Sequence, residues 1–340
     1  MQEDINRQII LKSRPYGYPN LDNFELIHSD IPDVKDGELL IKTIWMSLDP
    51  YMRGRIKENS QLGLGALPHP IGHTMPGGSI GRVVFSRNPN IPIGSFVDSP
   101  SGWQDYFVSN SNNIRLLNSE SAPLSTNLGI LGMPGLTAYH GLFEIGKPQV
   151  GETIVVSAAS GAVGAVVGQL GKLSGCRVIG IAGTDEKISY IKNDLGFDAA
   201  INYKTESVEQ KLSEYCTHGV DIYFDNVGGT ISDAVIDLIA DRGRVIVCGQ
   251  ISQYNLPEQD TGPRNLWQLL RHQATIEGFT VGRYANRSNV ARQRLTTLVQ
   301  ENKLKYKEDI IEGLENAPSA FIGMMSGQNF GKLLIKVSNE

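Results

Sequence analysis

The sequence predicts an α/β protein in which a doubly wound parallel-sheet domain is inserted into a β-barrel-like domain. Three observations carry this. Short β-type runs cut by Gly, Pro, Asn and Asp fill the chain up to about residue 127. From Gly151 onward, strand patterns alternate with helix patterns, which is the signature of βαβ units and a parallel sheet. The last stretch, KEDIIEGLENAPSAFIGMMSGQNFGKLLIKV, returns to a helix and a terminal strand. A terminal strand of this kind is expected to rejoin the first β unit. The expected domains are therefore 1–127 with 301–340 (barrel-like) and 128–300 (doubly wound).

In the first part, GELLIKTIWMSL, GGSIGRVVFS and GSFVDSPSGWQDYFVS are the clearest β-type runs, each bounded by turn residues. GILGMPGLTAYHGLFEIG then reads as a helix with turn residues at both ends. The alternation that follows is TIVVSA, AVGAVVGQLGKLSG, CRVIGIAG, DEKISYIKNDLG, AAINYK, SVEQKLSEYC, VDIYFD, ISDAVIDLIA and GRVIVCG.

Length and charge narrow the function classes. The 340 residues suit about two domains, and 40% hydrophobic residues supply a substantial core. A net charge of −5 argues against a nucleic-acid partner. The densest basic run, Arg283 to Arg294, reads as a solvated helix face. Cys176, Cys216 and Cys248 are odd in number and widely spaced, which excludes a disulfide framework and suits a reducing, cytoplasmic compartment. MQEDINRQIILKSRP shows no apolar core of a secretory signal, and no window reaches 18 uninterrupted apolar residues, so no membrane partner is expected.

The most informative motif is TIVVSAASGAVGAVVGQLGKL. An apolar strand runs into Ala159-Ser160-Gly161-Ala162-Val163-Gly164 and then directly into a helix. This is the G-x-G-x-x-G pattern with Ala in the first place. Gly161 would let backbone approach a pyrophosphate, Gly164 would let helix and strand pack closely, and the helix N-terminus would offer free N–H groups. The alternative is a plain strand-to-helix turn. In a dinucleotide site an acid is expected about 20 residues later, on the ribose hydroxyl. Here RVIGIAGTDEK places Ala182, Gly183 and Thr184 there, followed by Lys187. Small residues leave room for a 2′-phosphate and Lys187 offers a cation, which points to NADPH over NADH. Asp185 and Glu186 would have to face elsewhere, and they suit the first turn of a helix. Lys187 as an ordinary surface lysine is the alternative.

Three further constellations bear on chemistry. Asp225-Asn226-Val227-Gly228-Gly229 and Cys248-Gly249-Gln250-Ile251-Ser252, with Tyr254, follow successive strands, where open α/β sheets bind ligands. Cys248 also reads as a small apolar filler at a strand end. IGHTMPGG offers only His73, and no cysteine precedes Cys176, so three ligands for a catalytic zinc cannot be assembled and no metal is expected. SLDPYMRGRI turns at Asp49-Pro50 and then presents Tyr51, either a packed aromatic or a phenol donor near a reacting carbonyl.

The chain resembles the zinc-independent medium-chain dehydrogenases/reductases. Within them it resembles the branch holding prostaglandin and leukotriene reductases, plant double-bond reductases and bacterial curcumin reductases. The resemblance rests on SLDPYMRGR, SGWQDY, LGMPGLTAY, AASGAVG, KLSGCRVIGIAGTDEK, GFDAAINYK, YFDNVGG, CGQISQYN, GLENAPSAFIGM and NFGK, and so covers nearly the whole chain. SGWQDY and GLENAPSAFIGM are most similar to the curcumin reductases. The resemblance implies a GroES-like β-barrel domain with an inserted Rossmann domain, and NADPH as cofactor. It implies Met133, Pro134 and Thr137 beside the nicotinamide, Gly161, Ala162, Val163 and Gly164 at the pyrophosphate, and Lys187 and Tyr203 around the 2′-phosphate. It also implies that Asn226, the loop carrying Cys248, Gly249, Ile251, Ser252 and Tyr254, then Phe279, Val281 and Asn329, complete the groove. Tyr51 and Tyr254 would face the substrate, and the Rossmann domains would form a homodimer. The segment NSQLGLGALPHP (59–70) carries none of these motifs and is a candidate lining of a substrate cleft. The implied reaction is reduction of the C=C bond of an enone or enal. Quinone reduction, which also needs no metal, and a binding protein that holds NADPH without turnover are the alternatives.

Overall fold

A computed structural model describes residues 5–58, 68–258, 260–263 and 266–340. The chain divides into two compact units. One holds residues up to Leu128 together with Glu308–Asn329 and Leu333–Glu340, and the other holds Gly129–Lys307 with Phe330–Lys332. The second unit thus runs to Lys307 rather than ending at residue 300. No helix among the described residues is long and apolar enough to cross a membrane.

The first unit is built on an antiparallel sheet centred on the strand Leu39–Ser47. One edge of that strand pairs with Ser79–Ser86. Its other edge is shared: Leu39–Lys42 pairs with Tyr106–Ser109, and Trp45–Ser47 pairs with the terminal strand Lys332–Lys336. The end of the chain is therefore woven into the first unit, as the sequence predicts. Leu334 packs there with Ile44, Trp45, Ile80 and Leu128 in one apolar cluster. Full burial of such a side chain contributes about 1.5–3 kcal/mol. A separate hairpin, Ile5–Leu11 with Phe24–Asp30, brings Phe24 onto the fully buried Trp103, and Phe321 meets both rings edge-on.

The second unit is a six-stranded sheet. In spatial order its strands are Ala199–Asn202, Arg177–Ala182, Thr153–Ser157, Val220–Asp225, Ile239–Val247 and Thr275–Gly278, all parallel. In chain order this is 3-2-1-4-5-6, the doubly wound arrangement whose strand order reverses between the first and fourth strands. The helix Gly164–Leu173 lies very close to its neighbours, since a Cβ on Gly168 would fall 1.8 Å from the Phe197 ring. Only glycine permits that approach.

One element differs from expectation. ISDAVIDLIA reads as a helix throughout, but the helix Gly229–Ile236 stops early and the fifth strand begins at Ile239. The Val220 N–H donates to the Leu238 carbonyl (2.8 Å), and Ile239 is buried against Val220 in the sheet core. Long-range strand pairing and burial outweigh the local helical pattern. The pairing register with the fourth strand then shifts between Ile239 and Arg244, where Arg242 adopts a φ of +61°.

Candidate functional site

The turn after Thr153–Ser157 is shaped by two glycines. A Cβ on Gly164 would lie 2.5 Å from the Ala158 carbonyl oxygen and 2.9 Å from the Ala159 Cα, and one on Gly161 would lie 3.2 Å from the same oxygen. Ala158 itself takes a φ of +49° to make the turn. The Gly161 N–H closes onto the Ala158 carbonyl, and Ala165 N–H onto Gly161. Among the described residues, the N–H groups of Ala162, Val163 and Gly164 have no hydrogen-bond partner, and no side chain caps this helix. Uncapped N–H groups at the positive end of the helix macrodipole, on a turn that two glycines draw tight, suit a pyrophosphate.

The end of Arg177–Ala182 carries no acid, and the nearest one is occupied. Asn202, itself buried, donates from Nδ2 to Asp185 Oδ1 (2.7 Å). Thr184 caps the helix Asp185–Ser189 by accepting the Lys187 N–H at 3.3 Å. Tyr203 N–H donates to the Ala182 carbonyl, and a Cβ on Gly183 would lie 2.9–3.0 Å from the Tyr203 ring and hydroxyl. Gly183 is therefore in contact with a Tyr203 that is 44% exposed, the strand end itself carries no carboxylate, and Lys187 lies in the first turn of the helix that follows. That combination suits a 2′-phosphate.

Two loops meet at the ends of the fourth and fifth strands. Cys248 and Gly249 N–H groups donate to the Asp225 carbonyl, Ile251 N–H to Asn226, and Ser252 donates twice to the Val227 carbonyl (N, 3.1 Å; Oγ, 2.6 Å). Gly228 and Gly229 take φ values of +72° and +60°, which let the first loop turn back. Asn226 donates from Nδ2 to the Ser157 carbonyl (2.8 Å), leaving Oδ1 as an acceptor. The Tyr254 hydroxyl accepts the Gln250 N–H at 3.3 Å within its own loop, so its O–H remains available to donate. Burial raises the Tyr254 phenol above its ordinary pKa and pushes the Cys248 thiol up to about 12, which makes Cys248 packing rather than chemistry.

The helix Met133–His140 opens with Pro134 in its first turn, and Thr137 Oγ1 donates to the Met133 carbonyl (2.7 Å). A Cβ on Gly141, just after it, would lie 2.7 Å from both the Phe224 and the Phe279 rings, so Phe279 is seated against this helix end. Val281 begins the short turn Val281–Arg287.

Two predicted residues stand outside this unit. Tyr51 opens the short helix Tyr51–Arg55 of the first unit. Burial above all, then the Asp49 carboxylate, raises its phenol pKa well above the usual value against an opposing effect of Arg55. Asp49 is held by the Ser47 hydroxyl. Asn329 belongs to the first unit and directly precedes Phe330 of the second. His73 is exposed, with its backbone carbonyl accepting from Leu11. No group of three or more His, Cys, Asp or Glu that could hold a metal occurs among the described residues. Of the candidate cleft lining, residues 59–67 lie outside the described residues. Two residues that organise the site were not singled out as site residues by the sequence: Ser157 and Asp225. The signal available for Asp225 was its place at the end of VDIYFD, just before the glycines.

Comparison with known proteins identifies the family. A family described as N-terminal domain of oxidoreductase matches residues 7–117, and one described as zinc-binding dehydrogenase matches residues 162–300. The NADPH-dependent curcumin reductase of Escherichia coli (strain K12) is 42% identical, over 100% of this chain and 99% of its own. Prostaglandin reductase 1 of Rattus norvegicus is 43% identical, over 96% of this chain and 97% of its own. The crystal structure of CurA in complex with NADPH from Vibrio vulnificus superposes with a TM-score of 0.93 at 43% identity, covering 98% of this chain and 100% of that one. The chain belongs to the zinc-independent medium-chain dehydrogenases/reductases, in the branch that includes curcumin reductase and prostaglandin reductase 1.

Proposed function

We propose that this protein is an NADPH-dependent enzyme that reduces the C=C bond of α,β-unsaturated ketones and aldehydes, curcumin-type enones among them. The observation that carries the reading is the end-to-end similarity to two reductases whose names specify curcumin and prostaglandin. The local site supports it. Gly161 to Gly164 hold the pyrophosphate on free N–H groups, Lys187 and Tyr203 hold the 2′-phosphate, and Met133, Pro134, Thr137, Asn226, Cys248, Gly249, Ile251, Ser252, Phe279, Val281 and Asn329 frame the remainder. NADPH, when bound, supplies the hydride.

The protein's part in the chemistry is to receive charge. Adding hydride to the β-carbon of an enone pushes electron density through the α-carbon onto the carbonyl oxygen. Donors placed in advance at that oxygen lower the barrier. Tyr51 and Tyr254 are the donors, and both phenols are held protonated well past neutral pH by burial. They act as hydrogen-bond donors, not as bases. Tyr51 takes the main role, because Tyr254 also serves cofactor binding.

Parallel assays with an enone series of increasing size, curcumin included, and with a benzoquinone test the reading. The expected result is NADPH oxidation with the enones at a kcat/KM well above that with the quinone. Preference for the quinone makes the protein a quinone reductase, and stoichiometric NADPH binding without turnover makes it a binding protein.

The protein works as a homodimer through its nucleotide-binding units. Thr275–Gly278 is the last strand of its sheet, with Ile276 47% exposed, and Leu266, Trp267 and Leu270 on the preceding helix are each about two-thirds exposed. A second copy at this edge would extend the sheet and cover that apolar group. Light scattering is expected to give twice the chain mass of 37.2 kDa, and Trp267→Glu to give a single chain mass. A wild-type monomer at micromolar concentration contradicts the dimer. The three free cysteines suit a reducing compartment, the cytoplasm.

A further inference from the structure

We propose that Asp225 is a positioning residue that ties the pyrophosphate turn to the turn that frames the reactive end of the cofactor; this rests on reading the second unit as an NADPH site. Asp225 is 1% exposed and ends the fourth strand, beside the point where the strand order reverses. Its Oδ1 accepts from the Tyr223 hydroxyl (2.9 Å), the Val227 N–H (3.0 Å), the Gly228 N–H (2.9 Å) and the Ser157 hydroxyl (3.3 Å). Its Oδ2 accepts from the Ser232 hydroxyl (2.8 Å).

All five partners are donors, and none is a cation. A buried carboxylate without a paired cation is costly unless hydrogen bonds satisfy it. An ionised carboxylate only accepts, so it matches this set. An asparagine would turn an NH₂ group toward at least one of the same donors. The arrangement therefore favours an acid at this position: an asparagine would lose the charge and force a hydroxyl such as that of Ser232 to reverse from donor to acceptor. Asp225 is enclosed and reaches the cofactor only through its neighbours.

What the carboxylate holds is the local frame of Asn226. Ser157, at the end of the first strand and directly before the Ala158–Gly164 turn, bridges the two: its hydroxyl donates to Asp225 and accepts the Asn226 N–H at 2.9 Å. Asn226 Nδ2 then donates to the Ser157 carbonyl. With the N–H and one Nδ2 hydrogen anchored on Ser157, the side chain is fixed in orientation, and Asn226 Oδ1 and the second Nδ2 hydrogen are left to meet a ligand. Val227 and Gly228, bound directly by Asp225, set the positive-φ turn that follows. Tyr223 is a permanent donor to this frame, since burial, and then the Asp225 charge, raise its phenol far above the ordinary range.

The test separates the two ends of the cofactor. NADPH and 2′,5′-adenosine bisphosphate, which lacks the nicotinamide half, are titrated calorimetrically into wild type, Asp225→Asn and Ser157→Ala. Asp225→Asn is expected to weaken NADPH by about tenfold or more, the loss appropriate to a charged hydrogen-bond set. The bisphosphate should stay within about twofold of wild type. Turnover with an enone should fall by on the order of 10²-fold, since misplacement of this size is felt steeply in the reacting geometry. The isotope effect from 4-deuterated NADPH should rise as hydride transfer becomes limiting. Equal weakening of both ligands would mean general damage to the domain and overturn the proposal, as would unchanged NADPH affinity. If Asp225→Asn does not fold, Ser157→Ala decides, with the same split and a smaller loss expected; unchanged NADPH affinity there overturns the idea. Both titrations are run without enone, so a wild type that binds NADPH yet reduces no enone contradicts the proposed reaction while leaving the affinity split readable.

Discussion

Tyr51→Phe is expected to lower kcat for enone reduction by on the order of 10²-fold, the loss typical of one oxyanion donor. The KM for NADPH should be nearly unchanged, because nothing assigns Tyr51 to the cofactor. The reason for a large effect is the environment of the phenol. Burial raises its pKa, Asp49 adds to this, and Arg55 opposes it. A phenol so shifted remains a donor at every pH where the enzyme is active. The folded-state value lies above the unfolded one, so the protonated form persists as pH rises through 10, where a free tyrosine ionises. The kcat profile of the wild type should therefore show no alkaline limb near pH 10 from this group. Tyr254→Phe should have a smaller effect on kcat. Steady-state kinetics of both single variants and the double variant check this. Unchanged kcat in both single variants removes the phenols from the mechanism while leaving the reaction class intact.

Lys187→Ala is expected to raise the KM for NADPH by about tenfold or more and to change that for NADH little. A hydrogen bond to a charged group contributes roughly 1.5–3 kcal/mol, and 1.36 kcal/mol is a factor of ten. The difference between the cofactors is the 2′-phosphate alone. Asn202 engages Asp185, so the acid nearest the strand end is held by a donor. Tyr203, packed on Gly183, should act in the same direction, and Tyr203→Phe should weaken NADPH by less than the lysine variant does. Equal KM values for NADPH and NADH in the wild type would contradict the assignment.

Much of the second unit was legible because its signals are local. Apolar strand runs, the glycine turn and the helix that follows all fall within short windows, and the absence of an acid at Ala182, Gly183 and Thr184 can be read by counting. The failures occur where the answer is long-range. The apolar run around Leu238–Ala240 suits helix or strand equally by periodicity, and only its pairing with Val220 decides. Ser157 and Asp225 are 68 residues apart in sequence and meet only because the first and fourth strands are neighbours. Tyr203 reaches Gly183 because the third strand runs parallel beside the second, a register that composition does not encode. In the first unit, the return of the terminal strand was expected, whereas its partner Leu39–Ser47 and the sharing of that strand's edge with Tyr106–Ser109 were not. Tyr51 was singled out beside Asp49-Pro50, but the enclosure that raises its phenol is a property of the fold.

The most direct test of the account follows a label. An enone such as a simple benzylidene ketone is reduced with NADPH dideuterated at C4, and the product is analysed by NMR. The account predicts a saturated ketone with deuterium at the β-carbon alone and solvent-derived hydrogen at the α-carbon. Deuterium on the former carbonyl carbon, with the C=C bond retained in an allylic alcohol, would contradict it and make the protein a carbonyl reductase.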